Sequence, residues 1–181
     1  MASLRWLMLL AGLLLILPAP GQDVASGPEP GKKVPGLKVF DATGAQQGKD
    51  VDYAGQRKEK PTVYIFVRAD KWDRPMARFL KKLDAGVLKE TKDAYVVAVW
   101  LTADVEKTKA YLPIAQQSLS FENTALTCFT GKKDGPKGWT INADAHLTAV
   151  VALKGRVKKV FGYRSVNETD AAGVCKALAG K

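Results

Sequence analysis

The sequence has few residues of the types that carry redox, metal or nucleophilic chemistry. Its 181 residues include only two cysteines, Cys128 and Cys175, and one histidine, His146. The two cysteines are far apart and form no Cys-X-X-Cys motif, and with a single histidine they do not match the ligand spacing of a zinc site. No glycine-rich phosphate or dinucleotide loop is present. We therefore expect no metal and no cofactor.

Only one long apolar run is present, and it lies at the start of the chain. Arg5 precedes residues 6–17, which are apolar apart from one glycine, and small residues follow at 19–21. This is the pattern of a secretory signal peptide. The run is shorter than the roughly 20 residues that span a bilayer. We predict a signal peptide over residues 1–21, cut after Gly21, and export to the periplasm or beyond; an uncleaved anchor is the alternative.

Acidic residues are outnumbered, with 28 Lys and Arg against 18 Asp and Glu, a net charge of +10. The positive charges come in doublets such as Lys81/Lys82 and Lys158/Lys159, without a long basic block or interleaved aromatics. This pattern is typical of a solvated lysine-rich surface. We expect no nucleic-acid partner.

Residues 22–36 are rich in glycine and proline and predict a flexible linker, followed by one domain over residues 37–181. Residues 62–67 form a continuous apolar run, which is typical of a strand covered on both faces. After it, apolar residues recur at helical spacing, with Asp73 as N-cap and Pro75 in the first turn. The members of this stripe are Met76, Phe79, Leu80, Leu83, Val87 and Leu88.

The remaining elements complete an alternating order. A hairpin over residues 37–53 comes first, and the loop from residue 54 ends at Pro61. A second buried strand, 94–102, precedes a helix capped by Asp104 that we expect to kink or end early at Pro113. A short strand around Cys128, a hairpin over 146–163 and a helix from about Glu168 follow. Strands alternating with helices predict an α/β fold with a parallel centre and antiparallel strands at the sides.

This order resembles the thioredoxin-like superfamily, closest to its exported thiol–disulfide oxidoreductases and redoxins. The resemblance rests on residues 60–70, on the unit at 96–112 and on the hairpin at 150–163. It implies a three-layer α/β/α sandwich with a central mixed sheet and an N-terminal β-hairpin. In that family a cysteine pair begins the first crossover helix, and a cis-proline faces it.

Both of these family features are missing. The cysteine pair would fall on Lys71, Trp72, Asp73 and Arg74, and the proline would fall near His146. The usual dithiol mechanism therefore cannot operate at this site. Three interpretations of Cys128 and Cys175 remain open: buried inert thiols, one structural disulfide, or a displaced reactive thiol.

The loop around Trp72 is either a lid on the core or an anchor for a partner, since interfaces favour tryptophan and arginine. Our hypothesis is a recognition surface formed by Arg68, Trp72, Arg74 and Trp139. The first functional interpretation is an exported, redox-inactive domain that binds another envelope protein. The alternatives are an oxidoreductase of the thioredoxin or peroxiredoxin class that uses Cys128 and Cys175, and a basic module held at an anionic envelope surface.

Overall fold

The computed structural model describes residues 24–180, so the predicted signal peptide lies outside the described residues. Seven strands form one mixed sheet in the order β2-β1-β5-β4-β3-β6-β7. The strands are β1 Lys38–Asp41, β2 Asp50–Asp52, β3 Thr62–Arg68, β4 Tyr95–Leu101, β5 Thr124–Cys128, β6 Leu147–Leu153 and β7 Arg156–Tyr163. The helices are α1 Tyr53–Arg57, α2 Arg74–Glu90, α3 Val105–Leu119 and α4 Ala171–Leu178.

Strands β3 and β4 form the centre of the sheet. They run parallel and in register from Thr62 opposite Tyr95 to Arg68 opposite Leu101. Nearly every residue of the pair is buried, and alternate residues belong to two separate apolar clusters. Because both faces are covered, each strand is apolar without alternation, as the sequence predicted. Strand β5 extends the parallel part, and β1, β6 and β7 are antiparallel to their neighbours.

The two faces of the sheet are covered differently. Helices α2, α3 and α4 contribute their buried residues to one apolar cluster, on one face. On the other face the cluster contains Tyr53 at the start of α1, Leu37 and Trp139. Helix α1 has only five residues, and it occupies part of the predicted polar loop. The predicted α/β architecture, with a mixed sheet and an N-terminal hairpin, is confirmed. No helix within residues 24–180 is both long and apolar enough to cross a membrane.

Two details of the helices differ from the sequence predictions. Helix α3 continues through Pro113 to Leu119, so the early end is wrong, and the kink stays a prediction. Leu112 and Ala115 are buried on either side of the proline, and this packing holds the helix across it. In α2, Leu88 is 49% exposed although its neighbour Val87 is fully buried. At about 100° of rotation per residue, Leu88 falls outside the buried stripe.

The described part of the predicted linker, residues 24–36, is attached to the sheet. Its backbone is hydrogen-bonded at several points, including Val24 N–H to the Gly162 carbonyl at 3.3 Å and Gly31 N–H to the Val157 carbonyl at 2.7 Å. The hydroxyls of Ser26 and Thr148 are 2.6 Å apart in the interior. A side chain at position 162 would collide with the Val24 carbonyl, so glycine allows this close approach. The expectation of a flexible linker is wrong for this stretch, because composition alone does not show tertiary hydrogen bonds.

Asp84 connects α2 to the beginning of β5. Asp84 is 4% exposed, and its carboxylate accepts three hydrogen bonds across 38–40 residues of sequence. The donors are the backbone N–H groups of Glu122 and Asn123, at 3.1 and 2.8 Å, and the Thr124 hydroxyl at 2.7 Å. A buried carboxylate is tolerated only when it is satisfied in this way. Asp84 therefore fixes the register between the first crossover helix and the third parallel strand.

We predict that Asp84→Ala lowers the free energy of unfolding by about 3 kcal/mol, since three buried or half-buried donors lose their acceptor. Urea unfolding followed by circular dichroism measures the change. Asp134→Ala, at an exposed loop position, is the matched control and should change stability by less than about 0.5 kcal/mol. Equal effects of the two substitutions would contradict the role given to Asp84.

Candidate functional site

A cleft of about 820 Å³ lies where β3 and β4 end. In a parallel sheet these carboxyl ends meet at one edge, together with the N-termini of the helices that follow, and ligands of open α/β sheets bind there. The cleft is bordered by the loop before α2, by the first turns of α3 and by residues from the loop before β6. Its lining includes Arg68, Lys71, Trp72, Trp100, Lys107, Tyr111 and Lys133, together with Asp70, Asp104 and Asp134.

The N-terminus of α2 is capped by a carboxylate. A 3₁₀ turn, Ala69–Lys71, leads from β3 to Trp72, and Asp73 then adopts an extended backbone as the N-cap. Its Oδ1 accepts the Met76 N–H at 2.9 Å. Lys71 and Arg74 on either side are exposed. The partial positive charge of a helix N-terminus stabilises an anion, and here that anion is the Asp73 carboxylate.

Trp72 forms a bridge over the floor of the cleft. Its indole N–H donates to the Tyr111 hydroxyl of α3 at 2.8 Å. Its ring meets Trp100 at the end of β4 edge-on, with centroids 5.1 Å apart and planes at 66°. Trp100 is 1% exposed and its own indole N–H has no acceptor within the described residues. Trp72 is half-buried, so it covers the core and also presents one side to solvent.

Unlike Trp72, the side chains of Arg68 and Trp139 hold other parts of the chain in place. The Arg68 guanidinium donates to the carbonyls of Lys133 and Asn142, at 3.0 and 3.1 Å, and so fixes the loop between β5 and β6. Trp139 is fully buried on the opposite face of the sheet. Its ring contacts Tyr64 and Phe66, and its N–H donates to the Gly36 carbonyl at 3.0 Å.

The predicted recognition surface therefore needs a correction. Trp139 cannot belong to it, because the side chain is buried beneath the N-terminal segment and separated from Trp72 by the sheet. Arg68 lines the cleft, but two of its nitrogens already donate hydrogen bonds to loop carbonyls. Trp72 and the exposed Arg74 remain as surface residues. The sequence alone does not show which of these four side chains is exposed to solvent.

Solved structures with the same architecture include a DsbF homologue from Corynebacterium diphtheriae, with a TM-score of 0.60 and 16% identity over 89% of this chain and 97% of that one. A putative protein disulfide isomerase from Bacteroides thetaiotaomicron matches with a TM-score of 0.60 and 14% identity, over 84% of this chain and 91% of that one. The exposed lipoprotein thioredoxin Etrx1 of Streptococcus pneumoniae matches with a TM-score of 0.57 and 16% identity, over 81% of this chain and 100% of that one.

The chain has a thioredoxin-like fold. At 14–16% identity these similarities concern the fold, not the activity. No protein-family model and no curated protein sequence matches the chain.

His146, which the family resemblance predicted to face the α2 N-terminus, precedes β6 and lies beside the end of β3. Its backbone N–H donates to the Tyr163 carbonyl at 2.8 Å, and its carbonyl accepts the Arg68 N–H at 3.0 Å. These two bonds continue the ladders of β6 with β7 and with β3. His146 thus has a backbone role at the sheet edge. Within residues 24–180 no group of three His, Cys, Asp or Glu side chains could hold a metal ion.

The two cysteines are separate, free thiols in the structure. Cys128 is fully buried in β5, and Cys175 is buried in α4 against Gly86 of α2. Neither lies at the N-terminus of α2. Burial is the main cause that raises the pKa of each thiol from 9.0 to about 11. This arrangement favours inert thiols over the disulfide and over the reactive thiol, since the thiolate is the reactive form.

Trp100 and Tyr111 belong to the site, and the sequence analysis did not single them out. Trp100 occupies the next-to-last position of the second parallel strand, whose end was predicted to meet the end of the first. Tyr111 lies one turn after Lys107 on α3, on the side that faces Trp72. The rule that parallel strands end at one edge points to Trp100. No local signal identifies Tyr111, because its partner lies 39 residues away.

We predict that iodoacetamide labels Cys128 and Cys175 slowly in the folded protein. Two pKa units above 9.0 reduce the thiolate fraction at neutral pH about a hundredfold, and burial adds a steric barrier. Intact mass after alkylation, with and without urea and with and without prior reductant, measures this. Two adducts in urea without reductant are expected. Rapid labelling of the folded protein, or labelling that requires reductant, would contradict free buried thiols.

Proposed function

We propose that this chain is an exported, redox-inactive thioredoxin-like domain that acts by binding another protein of the cell envelope. The observation that carries the proposal is the chemistry of the α2 N-terminus. A carboxylate, Asp73, holds the position at which a thiolate would be stabilised, and it already accepts a backbone hydrogen bond. The nearest residues, Lys71, Trp72 and Arg74, carry no nucleophile suited to thiol–disulfide exchange.

The surface around the same helix end supports a binding role. Trp72 is half-buried, and Tyr111 is 40% exposed beside it. Tryptophan, tyrosine and arginine supply most of the energetically important contacts at protein interfaces. The Trp72–Tyr111 hydrogen bond and the contact with Trp100 hold the ring in place. A rigid aromatic side chain loses little conformational entropy when a partner binds.

Export is supported by the sequence pattern of residues 1–21. Two of the similar structures are of proteins described as an exposed lipoprotein thioredoxin and as a DsbF homologue. These similarities support the proposal only by analogy of fold, because a shared fold does not imply a shared function. The alternative function, a thiol–disulfide oxidoreductase that uses Cys128 and Cys175, requires those thiols to become accessible.

We predict no insulin-reduction activity with dithiothreitol and no thiol-dependent peroxidase activity above the rate of buffer, because no exposed thiolate is available. A thioredoxin with an intact cysteine pair serves as the positive control. The double variant Cys128→Ala, Cys175→Ala is the second control and should match the unmodified protein. Activity that disappears in this double variant would overturn redox inactivity and favour the alternative function.

We predict that the exported protein begins at Gln22, because signal peptidase reads the small residues before the cut. Intact-mass analysis of the protein recovered from the periplasm or medium of an expressing bacterium measures this. Ala19→Leu should slow processing and leave the longer species in the membrane fraction. Protein found only in the cytoplasm with residues 1–21 still attached would contradict export.

A further inference from the structure

From Arg74 to Lys89 the outward face of α2 carries positive charge and no exposed acid. The exposed residues of this range are five cations, Pro75, Ala85 and Leu88, and the exposed acids Asp73 and Glu90 lie just beyond its two ends. Asp84, the acid within this range, is buried and satisfied by the start of β5. The five cations are Arg74, Arg78, Lys81, Lys82 and Lys89.

Three of these cations form a row. Arg74, Arg78 and Lys82 succeed each other at four-residue intervals, so they are neighbours on the helix surface. None of them makes an ion pair within residues 24–180. Like charges at this spacing destabilise a helix by a few tenths of a kcal/mol for each pair. The row from Arg74 to Lys82 is about 12 Å long at 1.5 Å per residue. We refer to Arg74, Arg78 and Lys82 as the basic row.

An apolar strip lies beside the basic row. Helices α2 and α3 run side by side. Near one end, Trp72 donates a hydrogen bond to Tyr111. Near the other end, Lys81 Nζ donates to the Leu119 carbonyl and, at 2.8 Å, to the Ser120 carbonyl. On α3, Tyr111, which accepts the Trp72 hydrogen bond, is 40% exposed, and Ile114, three residues further and therefore its neighbour on the helix surface, is 63% exposed. We call these two residues the apolar strip.

From this juxtaposition we propose that the outer surface of α2 and the flank of α3 bind an acidic segment of a partner protein. Carboxylates of the segment pair with the basic row, and an apolar side chain contacts the apolar strip. The inference rests on the proposed function, because the surface adjoins Trp72, and it adds the chemistry of the partner. Electrostatic complementarity of this kind sets the partner's orientation and speeds association.

A protein segment fits this surface better than a membrane does. Helices that lie in a bilayer interface bury a continuous apolar face. Here the outward face of α2 offers only Pro75, Ala85 and Leu88 among its cations, and the apolar strip has two residues. On the α4 side, Glu90 and Glu168 line a separate groove of about 450 Å³ together with Lys82 and Lys89. These acids would repel an anionic surface that covered the whole helix.

The test uses the protein as it is produced and purified, with a fluorescein-labelled random copolymer of glutamate and tyrosine as the probe in fluorescence anisotropy. The triple variant Arg74→Gln, Arg78→Gln, Lys82→Gln removes the basic row. The matched control, Lys38→Gln, Lys49→Gln, Lys158→Gln, removes the same charge from three exposed lysines on β1, the β1–β2 turn and β7. Circular dichroism establishes that both variants are folded.

We expect the affinity for the copolymer to fall about tenfold or more in the basic-row variant and less than threefold in the control, since each exposed ion pair contributes modestly. Ile114→Ser should lower the affinity further, and raised salt should weaken binding of the unmodified protein. Equal losses in the two triple variants would overturn the proposal, because attraction would then follow net charge alone.

Vesicles of phosphatidylglycerol and phosphatidylcholine provide the second probe. Binding to these vesicles that depends on the basic row, without binding of the copolymer, would overturn the proposal in favour of a lipid surface. Redox inactivity is measured separately by the insulin assay. The acidic partner can therefore be disproved while the proposed function stands, and the reverse also holds.

Discussion

The parallel pairing of β3 with β4 places every feature of the candidate site. The two strands are in register from the pair Thr62 and Tyr95 to the pair Arg68 and Leu101. Their carboxyl ends therefore lie at the same edge of the sheet. The helices that follow must then begin at that edge. Trp72 before α2 and Tyr111 in α3 come within hydrogen-bonding distance for this reason. The strands can pair so closely because both of their faces are buried and apolar, which leaves the ladder as the partner for their backbone groups.

The same constraint explains why the fold does not require a thiol at the start of α2. A thiol at the start of α2 contributes little to packing, whereas the N-cap contributes directly to helix stability. Asp73 supplies that cap, and Trp72 packs edge-on against Trp100 at the end of the core. The architecture therefore depends on the cap and the aromatic pair, and it places no requirement on sulfur at this position. The two cysteines of the chain are part of the interior, where they pack as small apolar residues.

Elements with strong local patterns were predictable from the sequence. The apolar run of β3, the cap at Asp73 and the stripe of α2 follow rules of local sequence spacing, and the structure has them where expected apart from Leu88. Features that depend on distant partners were not predictable. The attachment of residues 24–36 depends on hydrogen bonds to β7 more than 120 residues away, as at Gly162.

The burial of Trp139 beneath Gly36 is of the same kind, and so is the meeting of Trp72 with Tyr111. A sequence reveals that a tryptophan stands in a polar loop. It does not reveal which face of a sheet the loop covers. In the site, the N-cap at Asp73 could be predicted, whereas the aromatic contacts of Trp72 with Trp100 and Tyr111 that shape the cleft could not.

The attachment of residues 24–36 also bears on how the protein avoids self-association. Strand β7 is at one end of the sheet, and an unprotected edge strand offers its backbone groups to another chain. Here Lys33 bridges to Arg156, and the N–H groups of Gly31 and Val34 bond to carbonyls of Val157 and Gly155. The N-terminal segment thus protects the edge as a short extra strand would. A shortened chain that starts at Leu37, the predicted start of the domain, would leave this edge open and would be prone to aggregate.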